Sequence, residues 1–314
     1  MLALCVEASH QRGMGHFFRA LNFFRHVSLL KQRAIFLINE HEPSLALLQN
    51  ARIPFDVVRL DDLDSGWETG LIRKYGVTFW INDRLDTDSR HAQHVKHAGI
   101  PLATFDDRGS GAELADFNIA ALVFDDVTKL AGKTVLHGTD YLILNSEIAG
   151  FRRPRIAAGK IVVSMGGSDT HGVTAKVVRI LRDLNKAATL ILGPGHQDDR
   201  QLDNLGAAFT LKRSVPSLIE EFSKYDLAIT GGGITPFEAN ASGLPCVVVA
   251  CEPFEADVGK TLEQLGSSVF AGMHNAIDAS VFAGTLDIGS MSRHGLTRIP
   301  MNGAENISRA LGLV

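Results

Sequence analysis

The sequence predicts an α/β protein made of two similar halves, each built on a parallel sheet. Short, continuously apolar runs alternate with helical patterns, and the alternation restarts after a basic, proline-containing segment at residues 149–160. Buried parallel strands have this continuous apolar character, and their alternation with helices is typical of βαβ units. Glycine-rich turns also follow three of the apolar runs. We therefore expect one domain over residues 1–152 and a second over residues 153–314.

The overall composition is typical of a globular enzyme. The chain has 314 residues, of which 45% are hydrophobic and 21% charged, enough for two domains of ordinary size. Its net charge of −4 argues against a nucleic-acid-binding protein. No apolar run reaches the ~20 residues that span a bilayer, and no basic segment precedes the first run, as it would in a signal peptide. Cys5, Cys246 and Cys251 lie inside apolar runs, so we expect buried free thiols and a cytoplasmic location.

Acidic residues follow the strands predicted in the first half. These strands are expected at residues 2–6, 34–38, 55–60, 77–81 and 101–105, with helices beginning near residue 16 and spanning 43–50 and 89–97. Glu7, Asp83, Asp106 and Asp107 come just after such runs. Ligands of parallel sheets collect at the carboxyl ends of strands. One or two of these carboxylates are therefore expected to face a ligand, and the others to cap loops.

The second half repeats the same pattern. Its strands are expected at residues 161–164, 188–192, 226–229 and 246–250, and its helices at 173–184, 236–242 and 303–311. The basic segment at residues 149–160 lacks apolar periodicity, so we predict that it is the linker between the domains.

The first glycine-rich turn joins the first strand to the first helix. It contains Gly13, Met14, Gly15 and His16. Glycines let a backbone turn tightly and approach a ligand closely, and the start of a helix attracts an anion. The imidazole of His16 is a candidate acid or base. The alternative is an ordinary βα turn with a surface histidine.

Two more glycine-rich turns lie in the second half, and both resemble diphosphate cradles. One contains Gly166, Gly167 and Ser168; the other contains Gly232, Gly233, Ile234 and Thr235. Neither has the lysine of a P-loop or the spacing of a dinucleotide-binding fingerprint. Each nevertheless offers backbone N–H groups at a helix start.

Glu238 follows Thr235 by three residues, so the two side chains share one face of a helical turn. The Glu238 carboxylate is therefore a candidate acceptor for the hydroxyl pair of a ribose. The alternative is a capping box, in which Thr235 is the N-cap and Glu238 reaches back to its backbone.

No metal site is expected. Asp86-Thr87-Asp88 has the form of a DxD motif, and His91, His94 and His97 recur every three residues. Both patterns are more simply explained by a loop and by an exposed helix face. No cofactor is predicted either.

Seven motifs together resemble a known family. They are GMGHFFRAL (13–21), TFDDR (104–108), ADFNI (115–119), GTDYLIL (138–144), VSMGGSD (163–169), GGGITPFEANASGLP (231–245) and NGAENISRAL (302–311). In this order they are similar to motifs of the UDP-sugar hydrolase of the pseudaminic acid pathway and of the related spore-coat-polysaccharide proteins. They resemble, more distantly, the glycosyltransferase that adds N-acetylglucosamine to lipid II. The resemblance covers nearly the whole chain.

The resemblance implies a GT-B fold, in which two Rossmann-like domains with parallel sheets face a central cleft. The C-terminal domain would hold the nucleotide, the N-terminal domain the sugar or acceptor, and the last helix would pack back on the first domain. By family, His16 is the catalytic base, residues 231–235 with Glu238 bind diphosphate and ribose, and the loop at 214–218 holds the uracil. The sugar side would include Gly13, Met14, Gly15, Arg19 and Asp106.

The sequence departs from the family at one position of the sugar site. The hydrolase carries an Asn-Gln pair where this chain has Phe254 and Glu255, counted back from Gly266. An apolar ring cannot hydrogen-bond a water or an acetamido group, so this departure bears on the choice of sugar and on hydrolysis itself.

The favoured function is a metal-independent nucleotide-sugar hydrolase. It would cleave a UDP-linked acetamido-deoxy sugar in the biosynthesis of a pseudaminic-type acid or another surface glycan. One alternative is an inverting glycosyltransferase with the same donor site and a sugar or protein acceptor. Another is a non-catalytic partner of a glycosylation enzyme that binds nucleotide sugars. The expected partner is thus a nucleotide sugar, with no nucleic acid and no membrane span, and the oligomeric state is not predicted.

Overall fold

The chain folds into two compact α/β units. The computed structural model describes residues 1–9, 14–122, 127–167, 169–196, 202, 205–213 and 215–314. The first unit contains residues 1–143 together with 302–314, and the second contains residues 144–301. The second unit thus begins before the boundary expected at 152/153, and the last helix is part of the first unit.

The described part of the first unit contains one seven-stranded sheet with the order β3-β2-β1-β4-β5-β6-β7. Its strands pair in parallel. They are β1 (Leu2–Val6), β2 (Ala34–Ile38), β3 (Phe55–Val57), β4 (Phe79–Asp83), β5 (Leu102–Phe105), β6 (Phe117–Ala120) and β7 (Thr134–His137). The helices are α1 (Gly15–Leu29), α2 (Glu42–Asn50), α3 (Trp67–Tyr75), α4 (Ser89–His97) and, at the end of the chain, α12 (Gly303–Ala310).

Both faces of this sheet are covered, which explains its continuously apolar strands. Alternate residues of β1 belong to two separate apolar clusters. Leu4 lies in the cluster that contains Phe17 of α1 and Ile307 of α12. Cys5 lies in the other cluster, with Val95 of α4. Because every residue of β1 is buried, no polar position interrupts the run.

The second unit repeats the design on a six-stranded sheet of described strands with the order β10-β9-β8-β11-β12-β13. The strands are β8 (Ile161–Ser164), β9 (Ala188–Leu192), β10 (Phe209–Arg213), β11 (Leu227–Thr230), β12 (Cys246–Ala250) and β13 (Ser268–Met273). The helices are α5 (Ile148–Phe151), α6 (Val173–Asp183), α7 (Leu218–Phe222), α8 (Thr235–Ala241), α9 (Pro253–Gln264), α10 (Ser280–Ala283) and α11 (Ile288–Arg298).

The segment predicted as a linker is instead an integral part of the second unit. It begins within α5, and Arg155 is only 1% exposed. The Arg155 guanidinium donates to the carbonyl oxygens of Phe222, Tyr225 and Ser242, at the ends of α7 and α8. A cation is stabilised at the carboxyl end of a helix. Arg155, one of the basic residues that suggested a linker, therefore caps the carboxyl ends of two helices.

The three cysteines are free and buried. In the described residues, no helix is long and apolar enough to cross a membrane.

Candidate functional site

The first unit places His16 beside a buried carboxylate. Because β1 and β4 are neighbours, with Val6 paired to Asp83, the helix that follows β1 begins near the end of β4. His16 lies in the first turn of α1, and its Nδ1 is 2.5 Å from Oδ1 of Asp83. The His16 side chain is 13% exposed and that of Asp83 only 2%. The carboxylate is thus shielded, while the imidazole still reaches the surface.

Arg19 fixes the position of this carboxylate. One helical turn after His16, its Nε donates to Oδ2 of Asp83 at 2.8 Å and its Nη2 to Oδ1 at 2.5 Å. Its Nη1 donates to Oδ2 of Asp106, the residue after β5. The guanidinium also lies over the ring of Phe105, 4.8 Å from the centroid. The bidentate pair holds Asp83 in one orientation.

The electrostatics of this cluster keep Asp83 charged. Burial by itself would raise the pKa of Asp83, but the guanidinium of Arg19 and the neighbouring His16 outweigh burial and lower that pKa. Burial would likewise lower the pKa of Arg19, and Asp83 and Asp106 raise it above its usual range. An ionised Asp83 can only accept hydrogen bonds, so Nδ1 of His16 carries the proton that it donates. In the neutral imidazole of this tautomer, the lone pair is on Nε2.

Of the other residues of the first glycine turn, the structure describes Met14 and Gly15. Met14 is the N-cap of α1, is 1% exposed and makes no side-chain cap. A Cβ placed on Gly15 would meet nothing within 4 Å, so no described neighbour requires a glycine there. Gly13 lies outside the described residues.

Asp106 and Arg19, expected on the sugar side, are nearly buried. They are 5% and 4% exposed. Asp106 also has a positive φ of 49° and accepts a hydrogen bond from the backbone N–H of Leu122. In this arrangement they support Asp83, whose pairing with His16 the sequence analysis missed. In the sequence, this pairing was indicated only by the position of Asp83 at the end of a predicted strand.

In the second unit, the two glycine turns lie side by side, because Thr230 of β11 pairs with Ser164 of β8. A Cβ on Gly166 would come within 3.7 Å of Oγ1 of Thr235. Gly166 has a φ of +84°, a conformation that favours glycine. Ser168 lies outside the described residues. Thr235 and Gly166 therefore border the same surface.

The helix start that follows the Gly166 turn is already capped. Both carboxylate oxygens of Asp169 accept backbone hydrogen bonds from the first turn of α6, from Val173 and Thr174 at 2.7 Å each. These N–H groups are thus not free for a phosphate. Of the two glycine turns predicted to hold a diphosphate, only the second leads into a helix start that no side chain caps.

The second turn leads into α8, whose first residue is Thr235. Its N-cap is Ile234, and no side chain caps the helix. The capping-box alternative is therefore wrong. Instead, Oε1 of Glu238 accepts a hydrogen bond from the backbone N–H of Asn145 at 3.2 Å.

Glu238 is a buried carboxyl group that has no hydrogen bond to a cationic side chain of the described residues. It is 8% exposed. Burial raises the pKa of Glu238 to about 7, the nearby Glu147 adds to the rise, and the Asn145 hydrogen bond opposes it. A group in this condition gains from new donors such as ribose hydroxyls.

The residues at the start of α9 point in different directions. Phe254 is 48% exposed. Oε2 of Glu255 instead accepts backbone hydrogen bonds from Cys251 at 2.7 Å and Gly232 at 3.2 Å. A Cβ placed on Gly233 would lie 4.0 Å from Oε1 of the same carboxylate. The Glu255 carboxylate thus faces the glycine turn.

The loop expected to hold the uracil is only partly described, since Ser214 lies outside the described residues. Ser217 is the N-cap of α7, and its hydroxyl accepts a hydrogen bond from the backbone N–H of Glu220. The same hydroxyl donates to Oε2 of Glu147 at 2.6 Å.

The histidines of α4 are not all on an exposed face, contrary to expectation. His91 is completely buried and lies 2.7 Å from Glu68 through Nδ1, and His94 contacts the other oxygen of Glu68 at 3.0 Å. Asp88 of the DxD motif caps α4 by accepting from the backbone N–H of Arg90. Among the described residues, no group of three or more His, Cys, Asp or Glu side chains could hold a metal ion.

Comparison with known proteins gives distant relatives. No family model matches the chain. It is 26% identical over 275 residues to an uncharacterized protein of Methanocaldococcus jannaschii. The aligned region covers 79% of this chain and 55% of that protein. The chain thus spans about half the length of this relative. It is 22% identical over 296 residues to the spore coat polysaccharide biosynthesis protein SpsG of Bacillus subtilis, covering 87% and 84% of the two chains.

Solved structures with the same fold are glycosyltransferases and their relatives. MurG of Acinetobacter baumannii superposes with a TM-score of 0.67 at 14% identity, over 100% of this chain and 99% of that one. HepE of Anabaena, solved in complex with UDP, gives 0.68 at 14% identity over the whole of both chains. The spinosyn rhamnosyltransferase SpnG, complexed with thymidine diphosphate, gives 0.64 at 14% identity over 99% and 100%. The chain therefore has the GT-B fold, with two α/β units on parallel sheets.

Proposed function

We propose that this chain cleaves a nucleotide sugar between the anomeric carbon and the diphosphate, with His16 as the general base. The observation that carries the proposal is the hydrogen bond from Nδ1 of His16 to the buried Asp83. A base needs a free lone pair and a fixed orientation. The Asp83 carboxylate accepts the hydrogen bond from Nδ1, which leaves Nε2 to act as the base and fixes the orientation of the ring. Arg19 in turn holds the carboxylate.

The proposed chemical step is direct displacement at the anomeric carbon. Nε2 of His16 takes the proton of a water, and the water oxygen forms a bond to the anomeric carbon as the bond to the diphosphate oxygen breaks. The electron pair of that bond leaves with the nucleoside diphosphate. Asp83 stabilises the imidazolium that forms, as a carboxylate does beside a catalytic histidine.

The second unit is proposed to hold the leaving nucleotide. Backbone N–H groups at the start of α8 and the hydroxyl of Thr235 would stabilise the charge on the diphosphate. Glu238 would accept hydrogen bonds from the ribose hydroxyls. Gly166 borders the same surface, since a Cβ on it would lie 3.7 Å from Thr235 Oγ1, and Gly167 is proposed to line it as well. The proposal requires no metal or cofactor.

The proposed substrate is a UDP-linked acetamido-deoxy sugar used in the biosynthesis of a surface glycan. Support comes from the motif resemblance to the UDP-sugar hydrolase, from the polysaccharide-biosynthesis relative in Bacillus subtilis and from the UDP complex of HepE. The sugar itself rests on the resemblance alone.

A second candidate is an inverting glycosyltransferase in which a sugar or protein hydroxyl replaces water. One specific observation favours it: Phe254 is exposed where the hydrolase has an asparagine that helps to hold the water. Its phenyl ring cannot donate or accept such a hydrogen bond. His16 would then deprotonate the acceptor hydroxyl.

A labelling experiment distinguishes these reactions. The protein is incubated in ¹⁸O-labelled water with UDP-N-acetylglucosamine, UDP-N-acetylgalactosamine, UDP-glucose or dTDP-glucose, and the products are analysed by mass spectrometry. Hydrolysis at the anomeric carbon places ¹⁸O in the free sugar and none in the nucleotide.

The other outcomes have distinct meanings. Nucleotide release only after an acceptor is added identifies a transferase. Tight nucleotide-sugar binding without turnover in either condition indicates a non-catalytic partner. Label in the phosphate of the nucleotide would contradict the proposed bond cleavage.

A further inference from the structure

Glu255 links two strand ends of the second unit through a single carboxylate oxygen. Oε2 accepts backbone hydrogen bonds from Cys251, just after β12, and from Gly232, just after β11. β11 and β12 are neighbours in the sheet. One acceptor oxygen shared by two backbone N–H groups ties the two loops together.

The backbone around Glu255 packs directly against the same turn. A Cβ on Gly232 would lie 2.5 Å from the carbonyl oxygen of Glu255 and 2.6 Å from its Cβ. Only a glycine allows this approach. A Cβ on Gly231 would lie 3.8 Å from Oε2 of Glu255. The first turn of α9 and the turn at residues 231–233 therefore form one packed body.

Phe254 and Glu255 are adjacent in the chain, but their side chains have different surroundings. Phe254 is 48% exposed, whereas the carboxylate of Glu255 is directed at backbone groups. Burial raises the pKa of Glu255, and the N–H groups of Cys251 and Gly232 oppose this rise. Oε2 of Glu255 is thus engaged by two backbone N–H groups. Of these two neighbouring positions, Phe254 is the exposed one.

We propose that Glu255 is a positioning residue that holds the turn at residues 231–233 in the shape that the nucleotide site requires. This rests on the proposed function, in which the start of α8, directly after that turn, receives the diphosphate. Glu255 acts through the backbone of Gly232, and any effect of its removal on the nucleotide is indirect.

Three variants separate the hydrogen bonds from the charge. Glu255→Gln retains a carbonyl oxygen that can accept from both N–H groups, whereas Glu255→Ala removes the acceptor. Glu255→Met keeps the length of the side chain and its apolar contacts, and it replaces the alanine variant if that variant does not fold. The matched control is Glu263→Ala, since Glu263 lies on the same helix and also accepts a backbone hydrogen bond, from Phe270.

The first measurement needs no ligand. Amide hydrogen exchange is followed in peptides that contain Gly232 and Cys251. Exchange should accelerate about tenfold or more in the variant without an acceptor, and should remain near the wild-type rate in Glu255→Gln and Glu263→Ala. Unchanged exchange in the alanine or methionine variant would show that Glu255 does not hold the turn.

The second measurement is the affinity for UDP, by calorimetry. The variant without an acceptor should bind UDP about tenfold more weakly or worse, while Glu255→Gln should stay within about threefold of wild type. Equal or tighter binding without the acceptor would overturn the proposal, as would a loss of binding in Glu255→Gln with normal exchange. Failure of the wild-type protein to bind UDP or dTDP would refute the proposed function instead, and the exchange data would still decide the role of Glu255.

Discussion

Asp83 in the first unit and Glu238 in the second are both buried carboxyl groups, yet their pKa values shift in opposite directions. Burial favours the neutral form of each. Asp83 has Arg19 and His16 within hydrogen-bond distance, and its pKa is lowered. Glu238 has one backbone N–H from Asn145, and its pKa is raised to about 7.

The two carboxyl groups differ in whether the protein itself supplies their hydrogen-bond donors. In the first unit, Asp83 already has its hydrogen-bond donors within the protein, namely Arg19 and His16. Glu238 in the second unit has hydrogen-bonding capacity that a ligand can satisfy. A preorganised base and a receptive nucleotide site are what the proposed reaction requires.

The largest stability effect is expected at Arg19. Arg19→Met removes the cation between two buried carboxylates, and such a loss typically costs about 3–5 kcal/mol of unfolding free energy. Both tryptophans, Trp67 and Trp80, lie in the first unit. Urea unfolding followed by tryptophan fluorescence should therefore report the loss. A fluorescence midpoint equal to that of wild type would refute the account of this cluster.

The substitution Glu238→Gln should instead raise the free energy of unfolding, by an amount that depends on pH. Its folded pKa of about 7 exceeds the ordinary value of 4.5, so its stabilising effect is complete below pH 4.5 and is lost as the pH rises through 7. Between pH 4.5 and 8 the glutamine variant should gain about 3 kcal/mol relative to wild type. Circular dichroism of urea unfolding measures this gain, and UDP binding should weaken in the same variant. A difference that does not change with pH would contradict the buried, uncharged state of Glu238.

Gly232→Ala tests the close approach on which the second unit depends. The new methyl group would lie 2.5 Å from the carbonyl oxygen of Glu255, so the turn must shift. We expect a loss of about 1–3 kcal/mol in stability, as is usual for overpacking, together with weaker UDP binding. Gly15→Ala is the matched control in the first unit, because a Cβ there meets nothing within 4 Å. Equal effects of the two substitutions would show that the contact at Gly232 is unimportant.

The smallest effects should be the same in both units. Asp88 and Asp287 each cap a helix by accepting a backbone hydrogen bond, from Arg90 and Ser290. Asp88→Ala and Asp287→Ala should each cost about 1 kcal/mol, with no change in UDP affinity. A large loss of UDP affinity in either variant would place that cap in the nucleotide site, against the present assignment.

Most interior strands of both sheets, and the edge strand β3, could be predicted from sequence, whereas the interior strand β6 and the edge strands β7, β10 and β13 were missed. Strands such as β1 and β12 are buried at every position, so an apolar run identifies them. The edge strands β7 and β10, which the sequence analysis missed, are partly exposed and carry polar residues such as Lys212. Their apolar signal is therefore diluted.

The candidate sites divide in the same way. The glycine turns are local features, and the sequence located them directly. The pairs that Asp83 forms with His16 and Arg19 join residues 67 and 64 positions apart, and no local pattern encodes such contacts. The inward orientation of Glu255 also depends on a neighbouring strand, so a comparison of motifs could not reveal it.

The central claim is that His16, oriented by Asp83, is the base and does not hold the nucleotide. It is tested most directly by measuring kcat and UDP affinity together for wild type and His16→Ala, on the substrate found by the labelling experiment. We predict that kcat falls by about 10²–10⁴-fold, the usual contribution of a general base, while the Kd for UDP stays within about twofold. Unchanged turnover, or a loss explained entirely by weaker UDP binding, would contradict the claim.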